Sequence, residues 1–278
     1  MAWSMISGVL GAALLGVGLA ASGTAAAAPA AGFDRLVVFG DSLSDNGNAG
    51  RFSNGPVWVE QLAERLGLPL MPARMGGTNF AVGGARLDPR SGPFSLRAQA
   101  DLFLALPRAR GRALHVVYGG GNDLLGAVGS PEGEAAVDAA LASLRGILRD
   151  LVERGARDIL VPNLPDVGLT PAVRAYGEQA VERAGRLTER FNAGIDRMAA
   201  ELAPVPGLRL YRLDVRAMAE RARDEPGAYG FVDFATPCGE LEDCEGHVFW
   251  DPVHPTTQAH GRLAEAAYRL VGDGAAGP

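Results

Sequence analysis

The chain has 278 residues, of which 47% are hydrophobic, and a formal net charge of −6. All 26 of its basic residues are Arg, and they are interspersed with Asp and Glu rather than clustered. We therefore expect no nucleic-acid partner, because binding to nucleic acid needs a basic surface that displaces counterions. The length suits one α/β domain with a large buried core.

The first predicted element is an export signal at residues 1–30. This segment carries no charged side chain, is almost wholly apolar over 5–21, and ends in the small residues Ala28-Pro29-Ala30. The pattern is typical of a secretory signal peptide, which leaves a domain at residues 31–278. A single transmembrane anchor is the alternative, although the apolar run is shorter than the ~20 residues that a span needs. We expect secretion to the periplasm or the extracellular medium.

Short apolar runs then alternate with amphipathic helical patterns. The runs predict five strands, at residues 36–39, 78–82, 114–118, 159–162 and 208–213, of which the one at 78–82 is the weakest. Helical spacing covers residues 57–66, 96–106, 132–154, 174–202, 216–223 and 256–271. This alternation predicts an α/β fold, a three-layer sandwich in which helices cover both faces of a central, mostly parallel five-stranded sheet.

Polar residues follow the carboxyl ends of the predicted strands, where such sheets bind ligands. Ser42 follows the first strand, at a point where we expect a helix to begin, and the pair Gly83-Gly84 and Asn122 follow two others. Asp251 and His254 precede the last predicted helix. We therefore expect these residues to meet at one edge of the sheet.

Asp251 and His254 form a pair that can activate a serine. The carboxylate lies three positions before the imidazole, a spacing that can lay the two side chains side by side on one turn. Such a carboxylate fixes the histidine tautomer and stabilises the imidazolium that forms when histidine takes a serine proton. Ser42 is the candidate serine. The chain has no Gly-x-Ser-x-Gly motif, so it lacks the nucleophile elbow that carries the serine of α/β-hydrolases.

Cys238 and Cys244 are the only two cysteines, and they follow an export signal. A local disulfide is the expected state. A metal site that adds His247 and His254 is the alternative, but the spacing matches no common zinc pattern and would occupy the histidine that the serine needs.

Other polar residues have structural interpretations. The glycines at 119–121 could form a plain turn after a strand, and they lack the third glycine of a dinucleotide-binding loop. Asp45 and its neighbours do not match a calcium loop, so turn-forming hydrogen bonds are expected there. Asp123 is interpreted as a capping or scaffold residue and His115 as a core histidine, while His260 either packs or faces solvent. For His247 and Trp250 a place in the site and a structural role remain equally open.

Four sequence blocks together resemble one family. They are GDSLSD at 40–45, NFAVGGA at 79–85, GND at 121–123 and DPVHPT at 251–256, and they occur in the order of the signature blocks of the SGNH hydrolase superfamily, also called GDSL esterases or lipases. The flanking segments NGPVW at 54–58 and VPNLP at 161–165 resemble secreted bacterial members of the phospholipase and lecithinase type.

The resemblance implies a flavodoxin-like fold and a role for each block. It makes Ser42 the nucleophile, His254 the general base and then acid, and Asp251 the residue that orients His254. It assigns the oxyanion donors to the backbone N–H groups of Ser42 and Gly84 and to the Asn122 amide, and it alone favours Gly84 over Gly83.

The expected reaction is hydrolysis of carboxylic esters through an acyl-enzyme. The substrate would be a small-molecule or lipid ester, with transient contact with lipid surfaces and no metal, organic cofactor or obligate protein partner. Acyl transfer to another alcohol and deacetylation of a polysaccharide use the same residues and remain alternatives. A non-enzymatic binding protein on the same scaffold is disfavoured because the whole triad is present.

Overall fold

The computed structural model describes residues 32–239, 241 and 243–275. The predicted signal peptide at 1–30 lies outside this range. Among the described residues, no helix is both long enough and apolar enough to cross a bilayer.

The described residues contain a parallel sheet of four strands whose spatial order follows the chain. The strands are β1 (Arg35–Gly40), β2 (Ala113–Tyr118), β3 (Asp158–Pro162) and β4 (Arg209–Leu213). Val38 pairs with Val116 in β2, and Ile159 in β3 pairs with Leu210 in β4. Because every strand runs in the same direction, all four carboxyl ends lie at one edge of the sheet, and the residues that follow them are brought together there.

Helices connect and cover these strands. They are α1 (Trp58–Leu66), α2 (Leu96–Ala105), α3 (Gly121–Val128), α4 (Gly133–Glu153), α5 (Pro171–Arg174), α6 (Glu178–Leu202), α7 (Val215–Asp224) and α8 (Thr257–Ala275). α1 packs against α8, whereas α4 packs against α2, α3 and α6. These two groups flank a core built on the buried strands β1 to β3. The predicted α/β class, with a parallel sheet between helices, is confirmed.

The predicted fifth strand is present only as an extended segment beside β1. Val38 N donates to Thr78 O at 3.0 Å, Phe80 N to Val38 O at 2.8 Å, and Val82 N to Gly40 O at 3.1 Å. The ladder is interrupted before the last of these bonds, because the Gly40 N–H that would pair with this segment donates instead to the Gln99 side chain at 2.9 Å. The prediction of five strands is therefore wrong in one respect. The described residues form a sheet of four strands, and the predicted fifth is an irregular segment at its edge.

Three local expectations also change. No helix follows Ser42: residues 42–44 form a turn in which Ser44 N and Asp45 N both donate to Asp41 O, and the first helix begins only at Trp58. The helix predicted at 174–202 is broken at Gly177, where φ is +86°, so α5 and α6 are separate. Finally, α3 begins directly after Gly120, in a segment that the sequence left as a possible plain turn.

A buried ion cluster lies at the amino-terminal end of the sheet, opposite the edge described above. Asp158 on β3 is 2% exposed and accepts hydrogen bonds from Arg112, from Arg209 and from the Tyr211 hydroxyl. Burial by itself would raise the pKa of Asp158, but these three donors outweigh burial and lower it. The charge of Asp158 therefore stabilises the folded state.

We expect Asp158→Asn to lower the free energy of unfolding at pH 7 by about 2 kcal/mol, because it removes a charge that three buried or half-buried donors face. A carboxylate whose pKa is lowered on folding stabilises the protein above its unfolded pKa of ~3.9 and loses this effect as the pH falls. The difference between variant and wild type should therefore shrink as the pH falls from 5 to 3 in denaturant titrations.

Asp224→Asn is the matched control. Asp224 forms an exposed pair with Arg223, so its replacement should change the free energy of unfolding by less than about 0.5 kcal/mol. A loss in Asp158→Asn that is the same at pH 3 as at pH 7 would show that the charge of Asp158 is not what stabilises the cluster.

Candidate active site

The Ser42 turn is held by the residue before it. Asp41 O accepts hydrogen bonds from Ser44 N and Asp45 N at 3.0 Å each, and Asp41 Oδ1 accepts one from Leu43 N at 3.0 Å. The Ser42 N–H has no partner among the described residues. The turn therefore presents the Ser42 hydroxyl and a free backbone donor together, although no helix dipole supports them.

Asp251, His254 and Ser42 are joined by two hydrogen bonds. Asp251 Oδ2 lies 2.6 Å from His254 Nδ1, and His254 Nε2 lies 2.9 Å from Ser42 Oγ. With Nδ1–H donating to the carboxylate, Nε2 is left as the acceptor for the serine hydroxyl. Ser42 and His254 are 212 positions apart in the chain, and the fold brings them together.

The Asp251 carboxylate is fixed by its own turn. Its Oδ1 accepts hydrogen bonds from Val253 N at 2.7 Å and His254 N at 2.6 Å. Burial would raise the pKa of Asp251, but the hydrogen bonds from the His254 backbone and ring and from the Val253 backbone outweigh it and lower the pKa. The carboxylate therefore stays ionised beside the imidazole.

A loop closed by a disulfide supports this turn through backbone hydrogen bonds to the residues that precede Asp251. Cys238 and Cys244 are bonded, as predicted. Cys238 N donates to Phe249 O at 3.0 Å, and Gly239 N donates to Trp250 O at 2.7 Å. The backbone just before Asp251 is thereby anchored.

The disulfide also decides between the two interpretations of the cysteines. Its sulfurs are not available as metal ligands, and His247 Nδ1 lies 3.0 Å from Thr236 O rather than beside His254. Within the described part of the chain, no group of three or more His, Cys, Asp or Glu residues could hold a metal ion.

The Gly83-Gly84 segment is tied to the Ser42 turn through Asp45. This buried carboxylate accepts hydrogen bonds from the backbone N–H groups of Gly47, Asn48 and Ala49 and, at 2.8 Å, from Gly83 N. The sequence predicted its turn-forming bonds, but gave no signal for the bond to Gly83, 38 residues away. Asp45 therefore sets the distance between the two segments.

Gly84 and Asn122 are the other two residues expected to donate hydrogen bonds in the site. Gly84 has φ of +76°, which favours glycine, and its N–H has no partner among the described residues. Asn122 lies in the first turn of α3, and its Nδ2 donates to Ala85 O at 3.0 Å, which leaves the second amide hydrogen unused by this bond.

Gln99 is a site-supporting residue that the sequence did not reveal. Its side chain is 5% exposed and forms two hydrogen bonds with Gly40, accepting from Gly40 N and donating to Gly40 O, each at 2.9 Å. Gly40 lies two residues before Ser42. A glutamine within a predicted amphipathic helix carries no sign of such a contact.

Asp41 is a second residue that sequence reasoning missed. It is 3% exposed and lines the cavity described below. Burial, reinforced by the charge of Asp123 and opposed by the hydrogen bond from Leu43, raises the pKa of Asp41 to about 7. Asp123 is itself buried and accepts a hydrogen bond from Leu87 N at 3.0 Å, which fits its predicted scaffold role.

The remaining histidines are packed in the interior. His115 and His260 are 7% and 2% exposed, and burial lowers their pKa values to about 4 and about 3. Both therefore stay neutral near pH 7. His115 is a core histidine, as predicted, and His260 packs rather than facing solvent.

A cavity of about 210 Å³ extends from Ser42 and His254 into the protein. Its walls are almost entirely apolar and come from the loop that follows β3, from α7, from the loop between α7 and α8, and from the first turns of α8; they include Leu164, Val215, Met218, Phe231 and Leu263. The cavity therefore connects the serine hydroxyl to a space suited to a hydrocarbon group.

Comparison with known proteins identifies the family. A family model described as GDSL-like Lipase/Acylhydrolase matches residues 36–267. A phosphatidylcholine-sterol acyltransferase from Aeromonas hydrophila is 28% identical, in an alignment that covers 92% of this chain and 95% of the relative.

Two solved structures share the fold. A member of the lipolytic G-D-S-L family from Veillonella parvula has a TM-score of 0.54 at 15% identity and covers 85% of this chain and 97% of its own. An acetylxylan esterase from Geobacillus stearothermophilus, solved as a catalytic mutant, has a TM-score of 0.54 at 17% identity and covers 86% and 94%. The family model spans most of the sequence, and the chain therefore belongs to the GDSL-like lipase and acylhydrolase family of carboxylic ester hydrolases.

Proposed function

We propose that this protein is a secreted serine hydrolase that cleaves lipid esters through an acyl-enzyme on Ser42. The observation that carries the proposal is the continuous pair of hydrogen bonds, at 2.6 and 2.9 Å, that runs from Asp251 through His254 to Ser42. In this proposal Ser42 is the nucleophile, His254 the proton carrier and Asp251 the residue that orients the imidazole.

The proposed reaction begins when Ser42 Oγ attacks the ester carbonyl carbon and its proton passes to His254 Nε2. The negative oxygen of the tetrahedral intermediate accepts hydrogen bonds from Ser42 N–H, Gly84 N–H and the Asn122 amide. A donor of this kind contributes about 3–4 kcal/mol to the transition state. The free Ser42 and Gly84 N–H groups support this assignment.

His254 then gives its proton to the leaving alcohol, and the carbon–oxygen bond breaks to leave the acyl group on Ser42. A water molecule enters, loses a proton to Nε2 and attacks the acyl carbon. When the second intermediate collapses, Ser42 recovers its proton from His254 and the carboxylic acid leaves. Apart from the substrate and the attacking water, every group in these proposed steps belongs to this chain.

The apolar cavity favours acyl groups longer than acetyl. An acetyl group would leave most of a cavity of about 210 Å³ unused, whereas each methylene buried there contributes about 0.8 kcal/mol to binding. The likeness to an acetylxylan esterase concerns the fold alone and gives no support to a sugar substrate. We therefore propose long-chain lipid esters, presented at lipid surfaces, as the substrate class.

Acyl transfer to a second alcohol is the other candidate. The observation that favours it is the 28% identity with a phosphatidylcholine-sterol acyltransferase along nearly the whole chain. Both reactions pass through the same acyl-enzyme and differ only in whether water or an alcohol attacks it, so product analysis with and without an added alcohol separates them.

Export completes the proposal. Residues 1–30 have the composition of a secretory signal, and a disulfide joins Cys238 to Cys244. Disulfides persist in oxidising compartments such as the periplasm and the extracellular medium. We propose that the protein works in one of these.

Replacing the triad tests the proposed function. Ser42→Ala and His254→Ala should lower kcat by about 10⁴-fold or more, and Asp251→Asn by about 10³- to 10⁴-fold, measured on p-nitrophenyl butyrate. Labelling by a fluorophosphonate probe should disappear in Ser42→Ala and persist in the control Ser91→Ala, which changes an exposed serine. Substantial hydrolysis by folded Ser42→Ala would refute the proposal.

Asp41 should shape the alkaline side of the pH profile. With its pKa raised to about 7, Asp41 is neutral below that pH and negative above it. The charge develops next to Ser42 and opposes the negative intermediate, so wild-type kcat/KM should fall as the pH rises above 7. Asp41→Asn keeps an acceptor for Leu43 N but cannot ionise.

The ratio of kcat/KM between Asp41→Asn and wild type should therefore rise about three- to tenfold between pH 6 and pH 9. Asp101→Asn, which changes an exposed carboxylate on α2, is the control and should give a constant ratio. A constant ratio for Asp41→Asn as well would show that this carboxyl does not titrate in the working enzyme.

Narrowing the cavity should change the preferred acyl length. Met218 on α7 lines the cavity, and Met218→Trp would fill part of it. The ratio of kcat/KM for p-nitrophenyl laurate to that for p-nitrophenyl butyrate should fall at least tenfold, since several methylenes lose their binding space. Leu102→Trp, at an exposed apolar position on α2, should leave the ratio unchanged. An unchanged ratio in Met218→Trp would place the acyl chain elsewhere.

A further inference from the structure

Phe52 contacts two parts of the active site and is not among the residues that line the cavity. Its ring centroid is 5.3 Å from that of the His254 imidazole, with 34° between the ring planes. The same ring also meets Gly83: a Cβ added at Gly83 would lie 2.3 Å from Phe52 Cε2 and Cζ. The ring therefore packs against both the imidazole and the Gly83-Gly84 segment.

The backbone around Phe52 is anchored on both sides. Arg51 donates to both carboxylate oxygens of Glu60 on α1, at 2.6 and 2.9 Å. Ser53 Oγ donates to Pro255 O at 2.9 Å, so the residue after Phe52 is bonded to the residue after His254. The backbone of Phe52 is therefore held relative to α1 and to the residue that follows His254.

The Gly83 side of the contact is anchored as well. Gly83 N donates to Asp45 Oδ2 at 2.8 Å, and Asp45 also holds the turn that follows Ser42. The contact between Gly83 and Phe52 is therefore held relative to the Ser42 turn as well as to the His254 imidazole.

We propose that Phe52 is a positioning residue that holds the His254 imidazole toward Ser42 by packing against both that ring and Gly83. The inference rests on the proposed function, in which His254 carries the proton to and from Ser42.

An aromatic ring suits this role for two reasons. It has no hydrogen-bonding atom, so it restrains the imidazole without competing for Nδ1 or Nε2. Its face also attracts a cation within about 6 Å, so it favours the imidazolium that forms after Ser42 loses its proton. Loss of the ring should therefore slow the chemical steps more than it weakens substrate binding.

The first test compares Phe52→Ala and Phe52→Leu with wild type on p-nitrophenyl butyrate. We expect kcat to fall about ten- to a hundredfold in both, because small misplacement of a catalytic group is costly, while KM changes less than about threefold. Phe52→Leu retains much of the apolar volume and serves if the alanine variant does not fold. Phe94→Ala, at a phenylalanine that is 63% exposed, is the control and should match wild type.

The second test uses the contact with Gly83. Gly83→Ala should lower kcat at least tenfold, because its methyl group would push the Phe52 ring toward His254. Gly83 does not have a positive φ, so the backbone itself tolerates alanine. In the double variant Phe52→Ala/Gly83→Ala the methyl has room, and kcat should be no lower than in Phe52→Ala alone. Gly129→Ala, where an added Cβ meets nothing within 4 Å, is the glycine control.

The outcomes separate this inference from the proposed function. Activity in folded Ser42→Ala would refute the function itself. If Ser42→Ala is inactive but both Phe52 variants keep kcat within twofold of wild type, the positioning role alone is refuted. It is also refuted if the losses in the double variant multiply, since that would mean that Phe52 and Gly83 act independently.

Discussion

The buried Asp45 carboxylate, which is fully shielded from solvent, accepts four backbone hydrogen bonds, three from the loop that follows it and one from Gly83. Polar oxygens removed from water are stable only when they accept hydrogen bonds, so these four donors hold the carboxyl group in place. The carboxylate therefore fixes the spacing between the Ser42 turn and the Gly83-Gly84 segment. The rest of the site depends on that spacing, because two free backbone N–H groups lie on these two segments.

The other half of the site, the turn that carries Asp251 and His254, is also held by a carboxylate that accepts backbone hydrogen bonds. Asp251 accepts hydrogen bonds from the two N–H groups of its own turn and from the His254 ring. Behind it, the disulfide-closed loop anchors Phe249 and Trp250 through backbone bonds. Hydrogen bonds thus hold both halves in place in the absence of substrate, and preorganised donors stabilise developing charge without a cost of rearrangement during a reaction.

The apolar cavity and the Asp41 carboxyl bring an apolar surface and an ionisable group together beside Ser42. The apolar cavity favours a hydrocarbon group, whereas burial of the nearby carboxyl raises the Asp41 pKa to about 7. Asp41 thus lies where burial disfavours its charge. Its side chain nevertheless accepts a hydrogen bond from the Leu43 N–H and so stabilises the Ser42 turn. Stabilising the turn and keeping the site free of negative charge are compatible only while Asp41 is protonated.

Much of this protein follows from its sequence. The alternation of apolar runs with amphipathic patterns is enough to predict a parallel α/β fold, since each pattern reports the local period of its own element. The Asp251 and His254 spacing, and the position of Ser42 after an apolar run, are likewise local features. With only two cysteines in the chain, the disulfide pair had one possible partner for each residue.

Tertiary structure decided the rest, because the deciding contacts join residues that are far apart in the chain. Gln99 takes the Gly40 N–H and so interrupts the ladder of the predicted fifth strand, and Asp41 O ties the residues after Ser42 into a turn instead of a helix. Phe52 meets Gly83 and His254, and the residue after it, Ser53, is bonded to Pro255, 202 positions away. Local patterns record which residues prefer burial or a given backbone shape, whereas the choice among distant partners is made by packing.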